Sequence, residues 1–270
     1  MAVRRRPARE APGQHFLRSR ELAADLVAEA RLARGDLVVE IGGGTGALTE
    51  PLVGSGARVV VVERDHRLAA ALRGRFTTAR VVEADATRYE WPIDTPFHVV
   101  ANLPFAGSGA ILARLLADPR IPLQRACVIV QWELAAKLTR VWPATLRGTF
   151  WRAWWEVSIG RRLDRTAFAP PPSVDTAVLR FERRGSPLVP VDAHRAYLRF
   201  LNTPFASSEP IRRNLRGSVS PLELKRLAAS LGFAPDARAR ELDATQWARV
   251  FAFARTTKGR SRGPQSLYGS

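Results

Sequence analysis

The chain has 270 residues, 46% of them hydrophobic and 25% charged, a composition typical of a folded protein with one or two domains. The single cysteine excludes a disulfide framework, the four histidines show no metal-ligand spacing, and no apolar run approaches the length of a membrane span. We therefore expect a cytoplasmic protein without a metal or a membrane partner. The formal net charge of +17 favours a polyanionic partner.

The positive charge is unevenly distributed, since residues 183–270 carry more than half of the net excess. Nearly all of the basic residues are arginines, whose planar guanidinium groups match phosphate oxygens and stack on bases. An arginine-rich surface that serves only solubility is the alternative. The concentration of charge in the last third of the chain favours nucleic acid.

Apolar runs alternate with helical segments along the first half of the chain. We predict strands at 37–41, 57–62, 81–85, 97–101 and 126–130, and two more at 156–162 and 176–182. Ser19 is the predicted N-cap of a helix that precedes them. Continuous apolar strands separated by helices are typical of a mainly parallel sheet covered on both faces. The sequence thus predicts an α/β domain with a seven-stranded sheet.

The remaining segments differ in composition. Helical periodicity at 193–203, 209–216, 221–231 and 244–254 predicts a small α-helical domain, with Gly232 as the C-cap of the third helix. Both ends of the chain are basic, rich in Pro, Gly or Ser, and lack apolar periodicity. The predicted domains are a flexible tail at 1–13, the α/β domain at 14–182, the helical, RNA-binding domain at 183–254 and a second flexible tail at 255–270.

Glu63, Asp85 and Asn102 each stand at the carboxyl end of a predicted strand, where open α/β sheets bind ligands. A glycine-rich turn, residues 40–46 (EIGGGTG), follows the first strand of the sheet and is typical of a nucleotide-type ligand. Glu63 can hold a ribose diol and Asp85 an exocyclic amine of adenine, although an aspartate in a turn is the alternative for Asp85. At this point a nicotinamide-dependent oxidoreductase remains possible.

The segment Asn102-Leu103-Pro104-Phe105 separates these alternatives. An amide oxygen and a backbone carbonyl on a turn stiffened by proline can accept both hydrogens of an exocyclic amine. Two such acceptors favour a pyramidal nitrogen whose lone pair points at an electrophile. Phe105 offers a face on which a base can stack. A hydride-transferring enzyme has no use for such a turn.

Four separated motifs, residues 14–17 (QHFL), 40–46, 102–105 and 168–175 (FAPPPSVD), resemble the family of rRNA adenine-N6 methyltransferases that use S-adenosyl-L-methionine. This family comprises the erythromycin-resistance (Erm) enzymes and the small-subunit rRNA dimethyladenosine transferases. The resemblance implies a Rossmann-like class I methyltransferase fold followed by a helical domain. It also implies transfer of a methyl group to N6 of an adenine that has left its stack.

The resemblance further implies a site for cofactor and base. The expected cofactor-binding residues are His15, Leu17, Gly42, Gly44, Glu63, Asp85 and Asn102. The expected catalytic turn is Asn102, Leu103, Pro104 and Phe105. The expected substrate-binding residues are Phe105, Phe168, Arg161, Arg162 and Arg165. His15 stands where the family usually has Asn, and Phe105 where it more often has Tyr. We expect Phe168 to cover the second face of the base, and the three arginines to form a rim for phosphates.

Two features favour the Erm branch over the small-subunit branch. Residues 131–133 (QWE) and 149–155 (TFWRAWW) look like actinobacterial Erm enzymes, and residues 106–108 (AGS) depart from the Asn-Ile-Ser or Asn-Ile-Ala usual in small-subunit enzymes. We therefore expect a monomer that methylates 23S rRNA before ribosome assembly is complete and confers macrolide-type resistance. The alternatives are a 16S rRNA adenine dimethyltransferase, an NAD-dependent oxidoreductase and an inactive RNA-binding homologue.

Overall fold

A computed structural model of the protein describes residues 15–260, with side chains as far as Thr256. The strands are β1 (Phe16–Leu17), β2 (Leu37–Ile41), β3 (Arg58–Glu63), β4 (Arg80–Glu83), β5 (Phe97–Asn102), β6 (Leu123–Gln131), β7 (Trp155–Leu163), β8 (Phe168–Ala169) and β9 (Thr176–Arg183). The helices are α1 (Arg20–Glu29), α2 (Thr49–Gly54), α3 (His66–Arg75), α4 (Ser108–Leu115), α5 (Trp132–Thr139), α6 (Leu146–Trp151), α7 (His194–Ala206), α8 (Ile211–Asn214), α9 (Pro221–Leu231) and α10 (Ala244–Arg260).

The central sheet has seven strands in the order β4-β3-β2-β5-β6-β9-β7. The pairs β2–β3, β2–β5, β3–β4 and β5–β6 are parallel, and the strands of this half are almost continuously apolar because both faces of the sheet are covered. The predicted seven-stranded, mainly parallel sheet is confirmed. Helices α5 and α6 were not predicted.

The order of the strands reverses at β2, which has β3 on one side and β5 on the other. Register places Ile41 of β2 beside Ala101 of β5, so that Gly42, just after β2, and Asn102, the last residue of β5, lie side by side. A reversal of this kind opens a crevice at the carboxyl ends of the two strands. The fold thereby brings together the glycine turn and the Asn-Leu-Pro-Phe turn.

A second, two-stranded sheet joins segments that are far apart in the sequence. Phe16 pairs with Ala169 and Leu17 with Phe168 in antiparallel β1–β8. The side chains of Leu17 and Phe168 are 5% and 0% exposed, and both belong to the hydrophobic core that includes Leu26. Because Phe168 is fully buried, it presents no face to a base in this structure, and Leu17 does not line the cavity, so its predicted contact with the cofactor stays a prediction.

The chain divides into two compact units. Among the described residues, the first comprises 15–115, 122–135 and 158–181, and the second comprises 116–121, 136–157 and 182–260. Residues 136–157 thus group with the C-terminal helices, whereas the sequence assigned them to the α/β domain. Helix α10 continues to Arg260, so residues 255–260 are helical and do not belong to the predicted tail. The tails at 1–13 and 261–270 lie outside the described residues.

Local capping explains where several helices begin and end. The Ser19 hydroxyl accepts from the Leu22 amide at the start of α1, as predicted. Helix α9 begins with a capping box between Ser220 and Glu223. The same helix ends at Gly232, whose φ of 72° is left-handed, which confirms the predicted C-cap.

Candidate active site

A cavity of about 320 Å³ opens at the carboxyl ends of β2, β3 and β5, within the first compact unit. It is lined by His15, Phe16, Ile41, Gly42, Gly44, Val62, Glu63, Arg64, Ala84, Asp85, Ala86, Thr87, Asn102, Leu103, Pro104, Phe105, Ala106, Gly107 and Ile111. Apolar walls with a few polar groups at strand ends are typical of a site for a nucleotide-sized ligand. Most of the residues predicted for the cofactor and the catalytic turn therefore share one cavity.

The floor of the cavity is the glycine turn after β2. Gly42 and Gly44 have φ of 74° and 53°, a left-handed backbone that residues with a side chain rarely adopt. A Cβ on Gly44 would lie 2.9 Å from a ring carbon of Phe16, and a Cβ on Gly43 would lie 2.5 Å from Val61. The turn is therefore closed to side chains and leaves its backbone open to a ligand.

Glu63, at the end of β3, holds the glycine turn from the side. Its side chain accepts hydrogen bonds from the Gly44 amide at 2.9 Å and from the Asp65 amide at 2.8 Å. The residue is buried, and a carboxylate offers about four acceptor positions. Two therefore remain for a ligand, which suits the adjacent hydroxyls of a ribose.

Asp85 lies on the next wall, just after β4. Its Oδ1 accepts from both the backbone amide and the hydroxyl of Thr87, at 2.8 and 2.6 Å. These two hydrogen bonds hold the pKa of Asp85 below its ordinary value. The carboxylate is thus oriented and ionised, and its Oδ2 accepts no hydrogen bond from the described part of the chain. It can accept from an exocyclic amine.

Asn102, the last residue of β5, has one amide atom occupied and one free. Its Nδ2 donates to the backbone carbonyl of His15 at 2.7 Å. Its Oδ1 is buried without a hydrogen-bond partner among residues 15–260, at the wall of the cavity. An unsatisfied buried acceptor costs about 1–3 kcal/mol, so its retention suggests that a ligand supplies the missing donor.

Phe105 closes the same side of the cavity and contacts His15. The two rings stack with centroids 5.1 Å apart and an interplanar angle of 27°. His15 is held in turn by a hydrogen bond of 2.8 Å between its Nδ1 and the carbonyl oxygen of Pro170. One face of Phe105 is therefore covered by an imidazole that β1–β8 pairing brings there.

Glu40 lies beneath the glycine turn and does not line the cavity. Burial raises its pKa to about 8, the nearby Glu63 adds to the rise, and the hydrogen bond from the Thr49 hydroxyl, at 2.6 Å, opposes it. Its other oxygen, Oε1, has no partner among residues 15–260. Glu40 is therefore largely protonated at neutral pH and ties β2 to α2.

The three arginines predicted as a phosphate rim are placed elsewhere. Arg161 pairs with Asp25 and Glu29, whereas Arg162 and Arg165 both pair with Asp175. None of the three lines the cavity. Each of the three is paired with a carboxylate of the same compact unit, so the phosphate rim does not form part of the cavity wall and stays a prediction for the surface outside it.

Sequence reasoning missed several lining residues. Phe16 reaches the site through β1–β8 pairing, for which the sequence offers no local signal. Thr87 could have been predicted from the sequence. In an Asp-x-Thr segment, the backbone amide and the hydroxyl of the threonine can both donate hydrogen bonds to the aspartate carboxylate. Within residues 15–260 no three His, Cys, Asp or Glu side chains are arranged to hold a metal ion. No helix there is long and apolar enough to cross a membrane.

The sheet order, the glycine turn and the acidic residue at the end of β3 together define a Rossmann-like class I methyltransferase. Solved structures share this fold. The 23S rRNA methyltransferase ErmE aligns with a TM-score of 0.77 and 27% identity over 89% of this chain and 99% of its own. A dimethyladenosine transferase from Plasmodium falciparum aligns with a TM-score of 0.71 at 18% identity over 91% of this chain and 98% of its own.

The chain belongs to the ribosomal RNA adenine dimethylase family, whose pattern matches residues 6–256. An rRNA adenine N-6-methyltransferase of Corynebacterium diphtheriae is 32% identical over 72% of this chain and 76% of its own length. The ribosomal RNA small subunit methyltransferase A of Synechococcus elongatus is 34% identical over 89% of this chain and 93% of its own. The predicted family and the predicted class of enzyme are confirmed.

Proposed function

We propose that this protein transfers a methyl group from S-adenosyl-L-methionine to N6 of an adenine in 23S rRNA. The observation that carries the proposal is the buried, unpartnered Oδ1 of Asn102 at the wall of the cavity. An amide oxygen in this position is ready to accept from an exocyclic amine and has no other role in the described structure. Membership of an rRNA adenine methylase family supplies the class of reaction.

The cavity fits the methyl donor. The glycine turn carries no side chain over its backbone, Glu63 keeps two acceptor positions for ribose hydroxyls, and Asp85 presents an oriented carboxylate for the adenine amine. The His15 backbone and Gly42 are next to Asn102 and would border the methionine part. When bound, S-adenosyl-L-methionine supplies a methyl group on a sulfonium, an electrophile reactive enough that no general base is needed to begin the transfer.

The residues of the chain act mainly by orientation. The Asn102 oxygen and a backbone carbonyl of the Leu103-Pro104 turn would accept the two hydrogens of the target amine, which keeps its nitrogen lone pair directed into the cavity. The nitrogen would accept the methyl group in exchange for one of its two protons, which would leave to water. Holding the reactants in line can contribute up to about 7–11 kcal/mol. Phe105 would stack on the base through the face that His15 leaves open.

The choice of 23S over 16S rRNA is supported by the likeness to ErmE and by residues 106–108, 131–133 and 149–155. On this proposal the methylated base lies in the peptidyl-transferase loop region, the modification gives macrolide, lincosamide and streptogramin resistance, and a monomer acts before ribosome assembly is complete. The 183–254 segment, strongly basic, would bind the RNA. The likeness to small-subunit methyltransferase A keeps 16S rRNA as the second candidate.

The test is methylation of isolated, protein-free 23S and 16S rRNA with a labelled methyl donor, followed by mapping of the product by mass spectrometry. We expect label at N6 of an unpaired adenine in 23S rRNA and none in the Asn102→Ala variant. Label in 16S rRNA alone would overturn the choice of substrate. Binding of NAD in place of the methyl donor, measured by calorimetry, would overturn the choice of reaction.

A further inference from the structure

The second compact unit contains a cavity of its own, of about 670 Å³. It is lined by Trp142, Pro143, Ser207, Ser208, Arg238, Ala239, Arg240 and Glu241. No residue of the proposed catalytic site belongs to it. An indole, two guanidinium groups and two hydroxyls therefore share one concave surface outside that site.

Trp142 is an exposed aromatic residue held in one orientation. Its indole Nε1 donates to the backbone carbonyl of Glu241 at 2.9 Å, and the neighbouring Ala144 amide donates to the carbonyl of Arg240 at 2.8 Å. The residue is nevertheless 57% exposed. All seven tryptophans lie in the described part of the chain, and the other six are buried or half-buried. An aromatic face that is fixed before binding loses little entropy when a flat ligand stacks on it.

The cations beside the indole are exposed. Arg238 and Arg240 form no ion pair in the part of the chain that the structure describes, whereas Arg213 pairs with Glu209 and Arg184 with Glu156. Glu241, the one acidic residue of the lining, accepts from the Arg238 backbone amide through its Oε2. The two guanidinium groups are thus available to bind phosphate oxygens.

We propose that this cavity binds an unpaired nucleotide of the RNA substrate, with the base stacked on Trp142 and the adjacent phosphates held by Arg238 and Arg240. The combination of a stacking platform and neighbouring cations is how proteins bind single-stranded RNA without a sequence requirement. A purely apolar protein ligand would leave both guanidinium groups without partners. The inference rests on the proposed function only in taking RNA as the substrate, and it adds a subsite that shares no lining residue with the donor cavity.

The first experiment measures the Kd for a transcript of the peptidyl-transferase loop region of 23S rRNA, and for an unstructured RNA oligonucleotide. We expect Trp142→Ala to raise both Kd values about 5- to 10-fold and Trp142→Phe, which retains an aromatic face, to raise them less than about twofold. Leu222→Ala is the matched control, since Leu222 is 60% exposed in the same unit and does not line the cavity. Equal Kd values for Trp142→Ala and Leu222→Ala would overturn the proposal and would favour a protein ligand for this surface.

The second experiment tests the phosphate contacts through salt dependence. The double variant Arg238→Ala, Arg240→Ala should reduce the slope of log K against log salt by about one to two, because two fewer phosphates are neutralised. The control removes two exposed charges from α9 of the same unit, Lys225→Ala and Arg226→Ala, and should change the slope less. Equal slopes for the two double variants would contradict a role for this cavity in phosphate binding.

Methyl transfer and donor affinity distinguish this subsite from the proposed function. Trp142→Ala should raise the KM for RNA and leave the Kd for S-adenosyl-L-methionine unchanged, because the residue is outside the donor cavity. If the unmodified protein bound RNA in a manner dependent on Trp142 but methylated no rRNA, the proposed function would fail and the subsite would stand. If Trp142→Ala bound and methylated RNA as the unmodified protein does, the subsite would fail and the function would stand.

Discussion

Asn102 Nδ2 donates a hydrogen bond of 2.7 Å to the backbone carbonyl of His15, a residue 87 positions earlier in the chain. The oxygen of the same amide is buried without a hydrogen-bond partner in the described structure, and Asn102 lines the cavity. The side chain can therefore act as a fixed acceptor. The contact comes from the backbone of position 15, so it does not depend on the imidazole.

Asn102→Ala should lower the rate of methyl transfer by at least about 100-fold, because it removes a preorganised acceptor at the reacting nitrogen. The affinity for the methyl donor should stay within about threefold, since the glycine turn, Glu63 and Asp85 are intact. Single-turnover kinetics and calorimetry measure the two effects. A rate within about threefold of the unmodified protein would contradict the acceptor role. Asn202→Ala is the control, because Asn202 is an exposed asparagine of α7 that does not line the cavity.

Phe105→Ala should raise the KM for RNA or lower kcat, with a loss of about 1–3 kcal/mol in kcat/KM, because the base loses its stacking face. Phe105→Tyr keeps an aromatic ring and should remain within a few-fold of the unmodified protein. Steady-state kinetics with an rRNA transcript measures both variants. Equal loss in the two variants would contradict the stacking role, because tyrosine keeps the aromatic face.

Gly44→Ala should weaken binding of the methyl donor by at least about tenfold. The new Cβ would lie 2.9 Å from Phe16, on a backbone whose φ of 53° is strained for alanine. Relief of this clash would shift the Gly44 amide, which donates a hydrogen bond to Glu63. Gly74→Ala is the matched control, since Gly74 lies in α3 with nothing within 4 Å of an added Cβ. We expect that control to be neutral or to stabilise by up to about 1 kcal/mol. Donor affinity equal in both variants would refute the prediction.

Glu40 should make stability depend on pH. Its pKa is raised by burial from 4.5 to about 8, so its proton is bound more tightly in the folded than in the unfolded protein, and the free energy of unfolding falls as pH rises through that interval. Glu40→Gln mimics the protonated carboxyl and should flatten this decline by roughly 1 kcal/mol per pH unit. Denaturant unfolding at a series of pH values from 5 to 9 measures the free energy of unfolding of both proteins. Thr49→Val should keep the decline and extend it to higher pH, because the hydrogen bond that lowers the pKa of folded Glu40 is lost. An unchanged slope in Glu40→Gln would disprove the assignment.

Reversal of exposed charges in α7 should weaken RNA binding. Arg195→Glu with Arg199→Glu is expected to raise the KM for rRNA several-fold at low salt and to reduce its dependence on salt, because fewer phosphates are neutralised. The affinity for the methyl donor should not change. Arg67→Glu, on an exposed turn of α3, is the control for net charge. If that control has the same effect as the pair, the C-terminal charge is not a specific RNA surface.

Much of the α/β fold could be predicted because its signals are local. Strands β2, β3 and β5 were located to within a residue, since each is an apolar run bounded by polar or glycine residues. Glu63, Asp85 and Asn102 were predicted to share a site because parallel strands present their carboxyl ends at one edge, and all three line the cavity. Residues 14–17 and 168–175 were recognised as motifs, but their pairing with each other was not foreseen.

Two sets of functional assignments were decided only by packing. Phe168 and Leu17 look like site residues in the sequence, yet β1–β8 pairing places both side chains in the core. Arg161 and Arg162 look like a phosphate rim, yet carboxylates from α1 and from Asp175 neutralise them. Charge and aromaticity are visible in a sequence, whereas the partner of a charge and the burial of a ring depend on contacts between distant segments.

The order of apolar and polar residues along the chain was enough to establish a parallel sheet, a glycine turn and the strand-end residues that face a ligand. Those features follow from the hydrophobic periodicity, the spacing of residues and the backbone chemistry of short segments. The orientation of Asn102, the stacking of His15 on Phe105 and the cavity around Trp142 required the folded chain. Each of them joins segments about 90 or more residues apart, and hydrogen bonds or ring contacts at that separation exist only after the intervening chain has packed.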